Sequence, residues 1–133
     1  MALKHRVNLR NVDTFITGGT EIPKGTYVTL SSSVLVAAGA GVKGLGFTTE
    51  IGYANQPCRV ARPGSDCLAL AHDADISEMD DLICSSTGRA DTIATLYSAS
   101  QVLIAMSLQD SSAAGQLIVV RVIDPCPVAK AAS

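Results

Sequence analysis

Hydrophobic positions along this chain fall into short runs separated by Gly, Pro, Ser and Asp, and little of it has helical spacing. Residues 26–30 (TYVTL) alternate β-branched and aromatic side chains behind the turn formers Pro23, Lys24 and Gly25, which predicts a strand. Residues 34–51 are punctuated by Gly39, Gly41, Gly44 and Gly46, a spacing that breaks helices. Residues 117–123 (LIVVRVI) form a continuous β-branched run that predicts a strand ended by Pro125. Residues 102–108 fit either period, and the hairpin-like QDSSAAGQ beside them favours strand. One window, residues 90–106, places Ile93, Leu96 and Tyr97 at helical spacing. Its β-branched content and the Thr87-Gly88 turn before it favour strands there too. Residues 58–66 (CRVARPGSD) read as an exposed loop between strands, and the PCPVAKAAS tail as an extended surface segment. The expected fold class is therefore all-β.

The chain also echoes itself. TEIPKGTYVTLSS (residues 20–32) lines up without gaps on ADISEMDDLICSS (residues 74–86), with Ile22 on Ile76, Val28 on Leu82 and Ser31-Ser32 on Ser85-Ser86. A turn–strand unit used twice predicts a small barrel built from two similar halves.

Composition narrows the function. At 133 residues and 47% apolar, the chain fits one well-filled domain, and that apolar share is mostly Ala, Val, Leu and Ile without Trp. Five aromatics and a net charge of −2 argue against base-stacking platforms and against a general attraction for nucleic acid. No apolar run reaches the roughly 20 residues of a membrane span, and MALKHRVNLRNVDTF has no secretory core, so synthesis in a cytoplasm is expected. Cys58, Cys67, Cys84 and Cys126 contain no C-x-x-C and read as free thiols; a Cys58–Cys67 disulfide is the alternative. Basic residues crowd the start: Lys4, His5, Arg6 and Arg10 read as a docking arm or a solvated terminus.

The densest chemistry is AHDADISEMDDLICSSTGRA, with His72, Asp73, Asp75, Glu78, Asp80 and Asp81 inside ten residues. A calcium loop would need Gly at Glu78 and a bidentate acid at Cys84. Adjacent residues of an extended chain cannot all face one ion, nor can Asp80 and Asp81 act as one acid pair. Neither G-x-S-x-G nor H-x-E occurs, and Gly44 after Lys43 breaks the phosphate-loop pattern. No metal, cofactor or catalytic residue is assigned, and the acids read as the wet side of a turn leading into a strand. Lys43 at a glycine-rich turn leaves one alternative, a small β-barrel binding or carrier domain of a cytoplasmic enzyme complex.

The basic arm, the I-x-x-G-x-x-V turn–strand unit, residues 81–89, the small-residue run 102–108, Gly115 and the run 117–123 together resemble the small head decoration, or cement, proteins of tailed bacteriophages. The resemblance spans roughly residues 20–123. It implies a compact β-tulip or β-clip-like barrel (residues 20–124) between an extended basic N-terminal arm (1–19) and an extended C-terminal tail (125–133). It also implies a homotrimer on the outer capsid surface of the virion, made in the host cytoplasm and partnered by the major capsid protein. Lys4, His5, Arg6 and Arg10 would be the capsid-binding arm. No nucleic acid, membrane or enzymatic role is expected.

Overall fold

The computed structural model describes residues 7–93 and 101–128, and among these there are ten strands and no helix. They are β1 (Val12–Ile16), β2 (Tyr27–Ser31), β3 (Val34–Ala37), β4 (Gly46–Thr48), β5 (Pro57–Ala61), β6 (Asp66–Leu70), β7 (Asp81–Cys84), β8 (Ala90–Thr92), β9 (Gln101–Ser107) and β10 (Leu117–Val128). Two five-stranded sheets result, in the orders β1-β5-β4-β2-β3 and β6-β10-β9-β7-β8, with every pairing antiparallel.

The second order is the first repeated five strands later, so the chain is a duplicated unit. The correspondence holds residue by residue. Val28 pairs with Gly46 as Leu82 does with Ala105, and Ala61 pairs with Phe47 as Arg121 does with Met106. A parallel bridge joins the outer strands of the first sheet at Thr17 and Leu35, and an equivalent one joins the second at Ala71 and Ala90. The loops repeat as well. The N–H of Thr17 donates to the Gln56 carbonyl and that of Ala71 to the Gln116 carbonyl; Gly25 donates to Thr48 and Met79 to Ser107. The short echo in the sequence is thus the visible part of a repeat that covers five strands.

Burial explains why two such units share one chain. Ile22, Val28, Leu35, Cys58 and Val60 fill the first unit. The larger cluster joins the second unit's Ile76, Leu82, Ile104, Ile118 and Val120 to Tyr27, Phe47 and Ala61 of the first. β2 is consequently buried on both faces at its start: Val28 points into its own unit while Tyr27 packs towards the other. Tyr27 is 1% exposed, its ring centroid lies 5.1 Å from that of Phe47, and its hydroxyl accepts the Gly44 N–H at 3.0 Å. Burial pushes its phenol up to about 12, so the ring stays neutral.

Three local expectations change. Residues 58–61 are strand rather than loop, because Cys58, Val60 and Ala61 are buried; only residues 62–65 form the turn. Pro125 does not end its strand. It falls where the β9–β10 register shifts between Val122 and Cys126, at an irregularity that spares a ladder donor, and β10 runs on to Val128. Within the stretch expected as an arm, residues 12–16 form β1 against β5, and Asn8 pairs with Asp66. The window at residues 90–106 is strand where described, and residues 94–100 lie outside the described residues.

Gly46 is the tightest backbone position: a Cβ there would sit 1.8 Å from the Ala61 carbonyl oxygen. Gly46→Ala is expected to force β4 off β5 and lower unfolding stability by about 3 kcal/mol or more. Gly39→Ala, where a Cβ meets nothing within 4 Å, should shift it by less than about 0.5 kcal/mol. Urea unfolding of the two variants checks this.

Candidate interaction surface

Two acids of the stretch, Asp73 and Asp80, cap backbone N–H groups. The Asp73 carboxylate accepts the Asp75 N–H at 2.9 Å and that of Asp80 accepts the Ser77 N–H at 2.8 Å. Asp110, from the β9–β10 loop, accepts the Glu78 N–H at 2.6 Å. Ser111 completes the turn, taking the Ile76 N–H on its hydroxyl and donating to the Asp73 carbonyl at 2.8 Å. In the first unit Ile22 and Gly52 exchange N–H···O bonds at 2.8 Å each way, and the Thr26 and Thr48 hydroxyls donate to the Pro23 carbonyl. Side chains at Asp73, Asp80, Asp110 and Ser111 therefore hold a turn in shape. Nearby, Nε2 of His72 lies 4.0 Å from the Asp91 carboxylate, and burial raises the Asp91 carboxyl above its usual range while His72 pulls it down.

No group of three or more His, Cys, Asp or Glu among the described residues is arranged to hold a metal ion. Lys43 is exposed in the loop between β3 and β4, but that loop is not a hairpin. β3 and β4 flank β2 on opposite sides, and the loop crosses over it with Gly44 fastened to Tyr27.

Lys4, His5 and Arg6 of the basic segment lie outside the described residues. Arg10 is exposed, and its backbone N–H donates to Ser65 Oγ at 3.1 Å. Val7 and Leu9 beside it line a groove of about 100 Å³ with Lys24, Thr49, Cys67 and Leu68. Residues 7–11 thus lie along the start of the second unit, fixed through Asn8–Asp66 and Asn11–Ser65 bonds.

All four cysteines are free, with Cys58, Cys67 and Cys84 buried and Cys126 exposed. Burial pushes the Cys67 and Cys84 thiols up to about 12, which leaves them inert.

What the sequence concealed is an uneven distribution of apolar surface. Ile16 is 47% exposed, Leu30 41% and Met79 63%. Each occupies the position of a residue that the other unit uses at the internal junction. Ile16 corresponds to Leu70, Leu30 to Cys84, and Met79 to Gly25. Met79 even keeps the left-handed backbone of its counterpart, φ 74° against 81°, a conformation that suits glycine and strains methionine. The alignment of the two echoes pairs Gly25 with Met79, and that was the signal available.

Comparison of the sequence with known protein families, and with curated proteins, finds no match.

Asp110→Ala leaves the Glu78 N–H without its acceptor and should cost about 1 kcal/mol in urea unfolding. Asp75→Asn, whose side chain accepts no hydrogen bond among the described residues, should change stability by less than about 0.5 kcal/mol. In native protein, iodoacetamide should label Cys126 alone, and the three buried thiols should react only after denaturation; peptide mass mapping reads this directly.

Proposed function

We propose that this chain is a structural virion protein, binding the outside of a phage capsid as a homotrimer and cementing neighbouring capsomers. The reading rests on the resemblance stated above. The observation that supports it most is the exposed apolar surface at Ile16, Leu30 and Met79, which adds to that of Val7, Leu9, Ile51 and Tyr53. In this reading each five-stranded unit is a small barrel of the β-tulip or β-clip kind, with the Thr17–Leu35 and Ala71–Ala90 bridges as its seams. A cement of this sort acts by mass action, since it binds the assembled shell and not the free subunits. The segment carrying Lys4, His5, Arg6 and Arg10 leads into β1 and supplies encounter rate and register on an acidic capsid face. The major capsid protein is the partner, and the role needs no cofactor and no catalysis.

Reversing Lys4, Arg6 and Arg10 to Glu should leave the β-type circular dichroism spectrum unchanged. Binding to empty shells of the phage that carries this gene should weaken about tenfold or more at low salt. Sedimentation of shells with bound protein measures it, and undiminished decoration would remove the docking role of these residues.

A further inference from the structure

The junction between the two units is one-sided. At it, the N–H of Leu70 donates to the Gly25 carbonyl at 2.9 Å and the N–H of Tyr27 donates to the Gly88 carbonyl at 2.8 Å. Cys84 Sγ reaches the Ala38 carbonyl, and a Cβ on Gly25 would run into Leu117. The first unit therefore presents the turn before β2 and the outer faces of β2 and β4. The second presents β6, the start of β10 and the β7–β8 turn.

A two-fold relation between the units would repeat each contact with the roles exchanged, joining Met79 to Ile16 and Asp81 to Ser33. Neither bond is made among the described residues, and Ile16, Ser33, Met79 and Asp81 are all exposed. The junction is head-to-tail. Each chain consequently carries one used copy of it and the two unused halves of another.

We infer that the unused halves meet between chains: the Met79 face of one copy docks on the Ile16–Leu30 face of the next. The interface repeats the internal junction. Continuity with that junction identifies the occupant as a second copy of this chain, because the receiving strands have the same order and register as those that accept the Gly25 turn. The side chains have changed in the way an exposed interface requires. Tyr27, Phe47 and Ala61, buried at the internal junction, correspond to Asp81, Met106 and Arg121 on the outer one. Cys67, in the same buried cluster, corresponds to Asp13. The outer version carries charged residues, Arg121 paired with Asp66 and Asp13 beside Arg62, where the inner version has Ala61 and Cys67. An interface between chains is wetter than a core and takes its register from charged groups.

Head-to-tail contacts close into rings when the rotation between units permits, and grow into filaments when it does not. A ring of three chains would hold six units in equivalent contact, and this deepens the homotrimer part of the reading above without needing a capsid.

Native mass spectrometry of the full chain tests it with Ile16→Lys, which blocks one face, and Met79→Lys, which blocks the other. The unsubstituted chain should be a trimer and each variant a monomer. An equal mixture of the two should form a dimer containing one of each and stop there, since each brings the face that the other lacks. Leu30→Lys should behave as Ile16→Lys does, which separates a lost contact from a lost fold. A monomeric parent chain, an oligomer that survives both substitutions, or a dimer formed by either variant alone would overturn the inference. A monomer that still decorates shells would overturn it and leave the capsid reading standing. A head-to-tail ring that ignores shells would do the reverse.

Discussion

Tyr27 holds the two halves of this molecule together through its side chain and its backbone at once. Its ring is buried in the cluster that fills the second unit, its N–H donates to Gly88, its carbonyl accepts the Ala38 N–H, and its hydroxyl fixes Gly44. A unit of five short strands falls in the size range where a separate core is marginal. Sharing a core is the remedy, and the larger hydrophobic cluster is the shared one. The loop carrying Lys43 is shaped by the same residue, so the most conspicuous glycine-rich segment of the sequence serves the junction.

The repeat explains how apolar and polar positions are distributed. Positions that face inward within a unit stay apolar in both copies: Ile22 and Ile76, Val28 and Leu82, Val60 and Val120 are all buried. Positions that face the junction do not. Tyr27 corresponds to the exposed Asp81, and Ala61 to Arg121, which forms a 2.8 Å ion pair with Asp66. One face is a core and its equivalent is a surface. Ile16, Leu30 and Met79 are apolar there although exposed, and Met79 sits in a strained turn where glycine would fit better.

Much of this was legible in the residues. The strands β2 and β10 follow from β-branched runs, β9 from the hairpin-like loop beside it, and the repeat from two aligned turn–strand segments. The free thiols, three of them buried, match the absence of paired cysteine spacing. The extent of the repeat was not legible, because it resides in strand order and hydrogen-bond register while the sequences of β4 and β9, or β5 and β10, have drifted apart. Pro125 misled because its effect depends on a register shift that only the partner strand reveals. The acids of residues 73–81 read as the wet side of a turn, but the caps made by Asp73 and Asp80 were not legible, because backbone N–H groups leave no mark in a sequence.

Amide hydrogen exchange at Ile16 tests the central claim, that one junction is used both within and between chains. Thr17 donates to Gln56, so its neighbour's N–H points away from β5, as that of Leu70 points away from β10 towards Gly25. In the assembled protein the Ile16 amide should exchange as slowly as that of Leu70, and in the Met79→Lys variant it should exchange freely while Leu70 stays protected. Free exchange at Ile16 in both proteins would contradict the account.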